Sequence, residues 1–303
     1  MKFLDVFFAA RPLLHLPVWT VYLITLRHNY PSVHTVFHVD DLTVLICLSA
    51  LFAGAFYINQ VHDYETDKLN GKLGFLQRGL ITDRQMMAAF WALSTAALVM
   101  GFFISVKVLL VFLALYGLAY AYSAPPFRLK DRPLWGLYAN GLAHGYLVSL
   151  AAMPESMIRL HSAAGWYLPV YFTITVGAVY VVTTIPDTAG DGISGKRTIA
   201  VCMGRRWSLI LSGLLMVISA LVAWTADYYA LTALSVFAAL LAIISAWTGS
   251  ERMVLATAKI PLLLLTLVAG YHYPAYLVFI VALVFATRIY YKKRFSMVHP
   301  RLV

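Results

Sequence analysis

Asn59-Gln60-Val61-His62-Asp63-Tyr64-Glu65-Thr66-Asp67 begins where a long apolar run of the chain ends. If the helix that carries this run continues, Asn59, Asp63 and Asp67 recur at four-residue spacing and project from one face. His62 and Glu65 would then point away from that face. Carboxylates beside hydrocarbon are costly unless a partner neutralises them, so the stretch predicts a functional site at the rim of a membrane segment.

A second acidic stretch, Asp187-Thr188-Ala189-Gly190-Asp191, follows another apolar run. Taken alone, the first stretch could be a solvated helix end, but a matching pair at the same depth favours a shared cation site. Magnesium prefers oxygen ligands and is usually held by one or two carboxylates together with substrate phosphates. We therefore predict one or two Mg²⁺ ions, and the predicted metal ligands are Asn59, Asp63, Asp67, Asp187 and Asp191.

Composition identifies the class of protein. The 303 residues are 61% hydrophobic and 12% charged, with a mean hydropathy of +0.78, whereas a soluble domain is about 25% charged. This is the composition of an integral membrane protein. The net charge of +10 is better explained by basic loops and anionic lipid headgroups than by nucleic acid. Cys47 and Cys202 suggest neither a disulfide framework nor a thiolate metal site.

The apolar segments predict an all-α fold, a polytopic transmembrane helical bundle of nine to ten spans in a single domain, 1–303. Ten segments are long enough to count. Lys259 interrupts the ninth and Arg288 lies near the end of the tenth, so nine spans result if one segment is re-entrant. The predicted segments are 12–27, 41–61, 85–104, 106–123, 134–153, 164–186, 206–225, 228–248, 253–271 and 273–291.

The basic residues are distributed unevenly between alternate loops. Both termini and the loops that start near 62, 124, 187 and 249 hold most of them, whereas the opposite loops hold only Arg27, Lys107 and Arg159. Because cytoplasmic loops carry the excess of lysine and arginine, both acidic stretches and both termini are predicted on the cytoplasmic side.

Basic side chains near the acidic stretches indicate a phosphate substrate. Arginine holds phosphate oxygens through a planar fork and lysine acts as a point charge. Any single one is more commonly an orientation signal, but a group that faces five acidic or amide ligands favours phosphate binding. The group is Arg78, Arg128, Lys130, Lys196 and Arg197.

These motifs resemble those of a known protein family. The Asn-xxx-Asp-xxx-Asp stretch at 59–67 and the Asp-xxx-Asp stretch at 187–191 resemble the two signature motifs of the UbiA superfamily of intramembrane prenyltransferases. The stretch from Tyr122 to Lys130 resembles the loop after the fourth helix in members that act on chlorophyllide, homogentisate or archaeal glycerol lipids. Residues 195–198 resemble the basic stretch after the second motif. Gln60 is a departure, because many members have an aspartate there.

The resemblance implies a helical bundle around a central cavity that opens to the cytoplasm and, sideways, to lipid. It implies Mg²⁺-dependent transfer of an isoprenyl chain from a prenyl diphosphate to a lipophilic acceptor: an aromatic quinone precursor, a tetrapyrrole or a glycerol lipid. The implied catalytic residues are Asp63, Asp67, Asp187 and Asp191, which by this resemblance would hold two Mg²⁺ ions. The implied substrate-binding residues are Asn59, Arg78, Tyr122, Arg128, Lys130, Lys196 and Arg197. Tyr122, Tyr138 and Tyr146 are candidates for stabilising an allylic cation.

Two other functions remain compatible with the residues. An ion-coupled membrane transporter also binds cations with carboxylates, although its acidic groups usually lie near mid-bilayer on broken helices. A cyclase or hydrolase of the same fold would carry the same metal motifs and use the prenyl diphosphate without an acceptor.

Overall fold

The computed structural model describes residues 2–29, 39–72, 74–155 and 163–300, and every regular element in these ranges is helical. Arg159 lies outside them. The helices before the first acidic stretch are α1 (Lys2–Ala9), α2 (Leu16–Asn29) and α3 (Val39–His62). Those between the two stretches are α4 (Tyr64–Leu69), α5 (Asp83–Ile104), α6 (Val106–Ser123), α7 (Pro133–Asn140), α8 (Val148–Ala152) and α9 (Ala163–Thr183). The rest are α10 (Thr188–Ile193), α11 (Ile199–Thr225), α12 (Tyr229–Thr248), α13 (Glu251–His272) and α14 (Pro274–Phe295).

Nine of the described helical stretches are long and apolar enough to cross a membrane. This confirms the prediction of an all-helical polytopic protein. The sequence left open that one of the last two segments is re-entrant, and in the structure both are continuous apolar helices. The α13 helix continues past Lys259 and α14 continues past Arg288, since a lysine or arginine is tolerated in a helix that packs on neighbours or ends near the interface.

The fifth predicted segment, 134–153, does not form one regular α-helix. It begins as α7, passes through a π-helical turn at Gly141–Leu147 and continues as α8. The π turn packs closely on α9, and a Cβ on Gly145 would collide with the backbone of Phe172 and Thr173. Small residues allow this kind of close approach between helices in a membrane. The turn thereby places one side of the segment against a central cavity.

Candidate functional site

A cavity of about 530 Å³ lies between the helices, and the two acidic stretches form one end of it. The opposite end is apolar and is formed by residues such as Leu115, Phe172 and Leu265. A cavity with convergent charged groups at one end and apolar walls at the other suits a ligand with a charged head and a hydrocarbon chain. Eight predicted site residues line it: Asn59, Asp63, Asp67, Tyr122, Lys130, Asp187, Asp191 and Lys196.

The first acidic stretch does not continue as one regular helix. The α3 helix ends at His62, and Asp63 has φ −102° and ψ 7° before α4 begins. The four-residue spacing nevertheless persists across the break. The Asp63 amide donates to the Asn59 carbonyl at 2.9 Å, and the Asp67 amide donates to the Asp63 carbonyl at 2.8 Å. All three predicted side chains therefore reach the same cavity.

The first aspartate of each stretch occupies an unusual position. Asp63 is the N-cap residue of α4 and Asp187 is the N-cap residue of α10, yet neither side chain makes a capping hydrogen bond. An N-cap aspartate ordinarily accepts a hydrogen bond from the first turn. Here both side chains line the cavity instead, so the two carboxylates face its interior.

Both acidic loops return to the cavity through a glycine and a lysine. Gly71 and Gly195 have positive φ values of 62° and 77°, a conformation that costs glycine little. The amides of the following residues, Lys72 and Lys196, each donate at 2.9 Å to the carbonyl of the second aspartate in their own stretch. The two loops thus share a local backbone design.

The lysine side chains cross to the opposite loop. Lys72 Nζ lies 2.7 Å from Asp187 Oδ2, and Lys196 Nζ lies 2.6 Å from Asp63 Oδ1. A further hydrogen bond joins the two loops, because the Gly190 backbone amide donates to the Asn70 side-chain oxygen, Oδ1, at 3.1 Å. The exchange of lysines couples the two acidic stretches and keeps their carboxylates neutralised.

A third lysine comes from the loop between α6 and α7. Lys130 Nζ lies 3.0 Å from Asp63 Oδ1 and donates to Asn59 Oδ1 at 2.9 Å. The Lys130 side chain is almost fully buried, and a buried charge requires such partners. Asp63 is therefore held between two lysines.

These contacts shift the acidity of the buried groups in different directions. Burial alone would raise the pKa of the Asp63 carboxyl, but Lys130 and Lys196 reverse this and lower it below its ordinary value. Burial raises the pKa of Asp191, and Lys196 opposes that rise only in part. Burial also lowers the pKa of Lys130, although Asp63 favours its charged form. The head of the cavity is consequently a dense and strongly coupled charge cluster.

Tyr122 stands next to this cluster, and its ring is fixed by its hydroxyl. The hydroxyl is hydrogen-bonded to Asn140 and to Tyr180, and all three residues line the cavity. Gly136 makes room for this arrangement, since a Cβ there would collide with the Tyr180 hydroxyl. The Tyr122 ring therefore has a defined orientation at the border between the charged and apolar parts.

The structure does not bring every predicted residue to the cavity. The Arg78 guanidinium lies 5.0 Å from the centre of the Phe295 ring, and Arg128 pairs with Asp131 at 2.5 Å. The Arg197 side chain is not part of the lining either; its backbone amide donates to the Asp131 carbonyl. Tyr138 and Tyr146 are also absent from the lining: Tyr138 is exposed, and the Tyr146 ring stacks on Trp166. In each case the side chain faces another partner or the exterior.

The cavity residues that the sequence analysis missed include Arg11, Lys72 and Tyr180. For Lys72 the signal was present, because Lys72 and Lys196 follow their aspartates at the same offset and each is preceded by glycine. Arg11 Nη2 lies 3.7 Å from Asp67 Oδ2, and no local pattern links two residues so far apart in the sequence. Tyr180 is one of many tyrosines in apolar segments.

The donor chemistry of the cavity fits magnesium. Its acidic residues and Asn59 offer only oxygen ligands, and neither cysteine is in the lining. Within the described ranges no three histidine, cysteine or acidic side chains form a ready metal cluster. Magnesium commonly relies on one or two carboxylates and completes its shell with substrate phosphates and water. Two separated acidic pairs match that requirement.

Known proteins share this fold and its sequence pattern. The chain is 30% identical over 186 residues to a probable homogentisate phytyltransferase 2 of Oryza sativa. This match covers 58% of this chain and 47% of the relative. It is 28% identical over 170 residues to a digeranylgeranylglyceryl phosphate synthase of Thermococcus kodakarensis, covering 55% and 58%. The matches thus span about half the length of these curated relatives.

A solved structure of a UbiA homolog from Archaeoglobus fulgidus, bound to DMAPP and Mg²⁺, superposes with a TM-score of 0.70 at 18% identity. The superposition covers 89% of this chain and 98% of the homolog, and at that identity it establishes the fold. The UbiA prenyltransferase family as a whole matches residues 16–255, a range that contains both acidic stretches. The resemblance predicted from the two motifs is confirmed, and the chain belongs to the UbiA prenyltransferase family.

Proposed function

We propose that this protein transfers an isoprenyl group from a prenyl diphosphate to a lipophilic acceptor within the membrane. The observation that carries the proposal is the cavity itself, in which paired aspartates and four cationic side chains lie at one end of an apolar space. The cationic side chains are Arg11, Lys72, Lys130 and Lys196. A diphosphate head and a hydrocarbon tail match these two parts.

In the proposed reaction the bond between the allylic carbon and the diphosphate oxygen breaks, and its electron pair leaves with the diphosphate. A nucleophilic atom of the acceptor forms the new bond to that carbon, and the acceptor loses a proton. Asp63, Asp67, Asp187 and Asp191, with Asn59, would hold Mg²⁺, which when bound supplies charge neutralisation for the leaving diphosphate.

The residues of the chain have separate tasks in this scheme. Lys72, Lys130 and Lys196 already lie at the head of the cavity, so they would bind the diphosphate oxygens without a large rearrangement and stabilise the developing charge. The fixed ring of Tyr122 would face the electron-poor carbon, since an aromatic face attracts a cation. The apolar walls would exclude water and so protect the allylic cation from hydrolysis.

The positions of the acidic groups favour an enzyme over a transporter. Asp63 and Asp187 lie at the ends of helices, beside basic loops, whereas a coupling-ion site usually lies near the middle of the bilayer. The relatives named above are transferases for homogentisate or for an archaeal glycerol lipid. These two acceptor classes are therefore the first to test.

The test uses purified protein in lipid nanodiscs with Mg²⁺. Geranyl, geranylgeranyl and phytyl diphosphates are each supplied with homogentisate or with geranylgeranylglyceryl phosphate, and products are identified by mass spectrometry. We expect a prenylated acceptor from at least one pair. Release of diphosphate with donor alone, and no acceptor product, would indicate a hydrolase or cyclase. Failure to consume any donor would contradict the proposal.

A further inference from the structure

The first helix of the chain is docked on the outer side of the acidic site. Two side chains of α3 bind its backbone: the Tyr57 hydroxyl donates to the Val6 carbonyl at 2.7 Å, and Gln60 Nε2 donates to the Ala9 carbonyl at 2.8 Å. Gln60 is buried. An aspartate at this position could not donate to a carbonyl, so the glutamine is suited to holding α1 in place.

The same helix is attached to the last helix, α14. Asp5 is only 2% exposed and accepts hydrogen bonds from the Tyr290 hydroxyl at 2.5 Å and from Arg294 at 3.1 and 3.2 Å. The Phe8 ring stacks on the Tyr290 ring at 3.9 Å between centres. Bidentate contact between arginine and carboxylate fixes geometry as well as energy. Both α1 and α14 lie outside residues 16–255, the range matched by the family.

Two residues after the docked helix ends, a residue with a strained backbone lines the cavity. Arg11 has φ 53° and ψ 57°, a left-handed conformation that is uncommon for arginine. Such a conformation persists when surrounding contacts determine it, and the contacts on either side of Arg11 do so, since His15 bonds the Ala10 carbonyl at 3.1 Å. The Arg11 side chain lines the cavity and is 30% exposed.

Arg11 shares a nearby carboxylate, that of Asp67, with a lysine. Its guanidinium lies 3.7 Å from Asp67, and Lys72 lies 3.4 Å from the other oxygen of the same carboxylate. One carboxylate thus faces two cations and cannot satisfy the five donors of the guanidinium. If Mg²⁺ took Asp67, Arg11 would be free to bind an anion in the cavity.

We propose that Arg11 binds the diphosphate of the donor, and that Asp5, Tyr290 and Arg294 are positioning residues that hold α1 so that Arg11 reaches it. This inference rests on the proposed function. It gives α14 a role at the site although none of the described residues of α14 lines the cavity. The planar fork of arginine suits two phosphate oxygens at once, which a lysine cannot match.

The test measures binding rather than turnover. A non-hydrolysable thiolo-analogue of geranyl diphosphate is titrated by calorimetry, at fixed Mg²⁺, into the full-length protein and its variants. Arg11→Ala should weaken binding roughly tenfold or more, the worth of a hydrogen bond between charged groups. Arg11→Lys should recover only part of the loss. Lys293→Ala is the matched control, because Lys293 is exposed on the same turn of α14 as Arg294.

A double-variant comparison separates positioning from general stability. Asp5→Asn should weaken analogue binding in the wild-type background but have no further effect when Arg11 is already alanine, because residues that act through one another are not additive. Equal weakening in both backgrounds would overturn the positioning role. Tyr290→Phe, which removes one hydrogen bond and keeps the ring, gives the same comparison if Asp5→Asn does not fold.

Two outcomes distinguish this inference from the proposed function. If the wild-type protein does not bind the analogue, the prenyltransferase proposal itself fails. If the wild type binds and Arg11→Ala binds equally well, the proposal of donor transfer stands and the role of Arg11 is overturned.

Discussion

Lys72 reaches from the first acidic loop to Asp187 in the second, at 2.7 Å. The contact has a counterpart, because Lys196 of the second loop reaches Asp63 of the first at 2.6 Å. Each loop thus neutralises the leading aspartate of the other. The arrangement keeps the acidic groups close together without metal, and it means that any ligand of the site must compete with, or recruit, these lysines.

The first prediction concerns the four aspartates. Asp63→Asn, Asp67→Asn, Asp187→Asn and Asp191→Asn should each reduce turnover by about 100-fold or more, since metal-centred charge stabilisation is worth several kcal/mol. Initial rates with the best donor and acceptor pair measure this. Asp83→Asn is the control, because Asp83 is exposed in the first turn of α5 and outside the cavity. Near wild-type turnover in two of the four would contradict a two-metal site.

The second prediction distinguishes cavity cations from their neighbours. Lys72→Ala should raise the donor KM by about tenfold or more, because it removes a charge from the head of the cavity. Arg78→Ala should change the donor KM little, since Arg78 lies against Phe295 instead. The measurement is steady-state kinetics at saturating acceptor. A larger effect of Arg78 than of Lys72 would show that the donor-bound protein rearranges this loop.

The presence of Asn59, Asp63 and Asp67 in one cavity could be predicted from sequence because their spacing survives a change in local structure. The α3 helix ends at His62, but the amides of Asp63 and Asp67 still bond the carbonyls four residues earlier. A pattern that depends on i, i+4 hydrogen bonds therefore stays informative across the break. The same reasoning missed Lys72, because only comparison of the two glycine-lysine pairs would have shown its equivalence to Lys196.

Other features depend on contacts between distant parts of the chain. Arg128 and Lys130 are both basic and lie two residues apart in the sequence, yet Lys130 lines the cavity and Arg128 pairs with Asp131. A left-handed φ of 41° at Arg128 separates the two, and composition gives no sign of it. The contact between Arg294 of α14 and Asp5 of α1 likewise joins opposite ends of the chain, and no local pattern predicts it.

The third prediction concerns helix packing at the π-helical turn. Gly145→Ala should lower stability by about 1–3 kcal/mol, because its Cβ would force apart the turn and the backbone of α9. Thermal unfolding in detergent measures the change. Gly117→Ala is the control: it has open space around it in α6, and alanine is favoured over glycine within a helix by roughly 0.5–1 kcal/mol. Equal stability of the two variants would argue against tight packing at Gly145.

The fourth prediction concerns orientation. In a background without Cys47 and Cys202, single cysteines replacing Ser194 and Val298 should react with an impermeant reagent from the cytoplasmic side, as the distribution of basic residues predicts. A cysteine replacing Asp227, in the turn between α11 and α12, should react from the opposite side. All three positions are exposed. Labelling of positions 194 and 298 from different sides would contradict an even number of membrane crossings between these two positions.

The last prediction concerns the coupling of metal and donor, and its basis is the set of lysine contacts. Lys130 and Lys196 form ion pairs with Asp63, and Lys72 forms ion pairs with both Asp67 and Asp187. A magnesium ion that enters the empty site must displace these cations from its ligands, so it should bind weakly. A diphosphate offers the lysines new partners and releases the carboxylates for the metal.

Metal and diphosphate should therefore tighten each other's binding, as the reciprocity of linked equilibria requires. Adding the thiolo-analogue of geranyl diphosphate should raise the affinity for Mg²⁺ by about 5–150-fold, the range of ordinary coupling energies. Calorimetric titration of Mg²⁺ with and without the analogue measures this directly. Lys72→Met should strengthen metal binding to the empty site, because a competing charge is gone, and should reduce the coupling. An ion-coupled transporter would instead bind its cation without a diphosphate, so equal Mg²⁺ affinities in the two titrations would count against prenyl transfer.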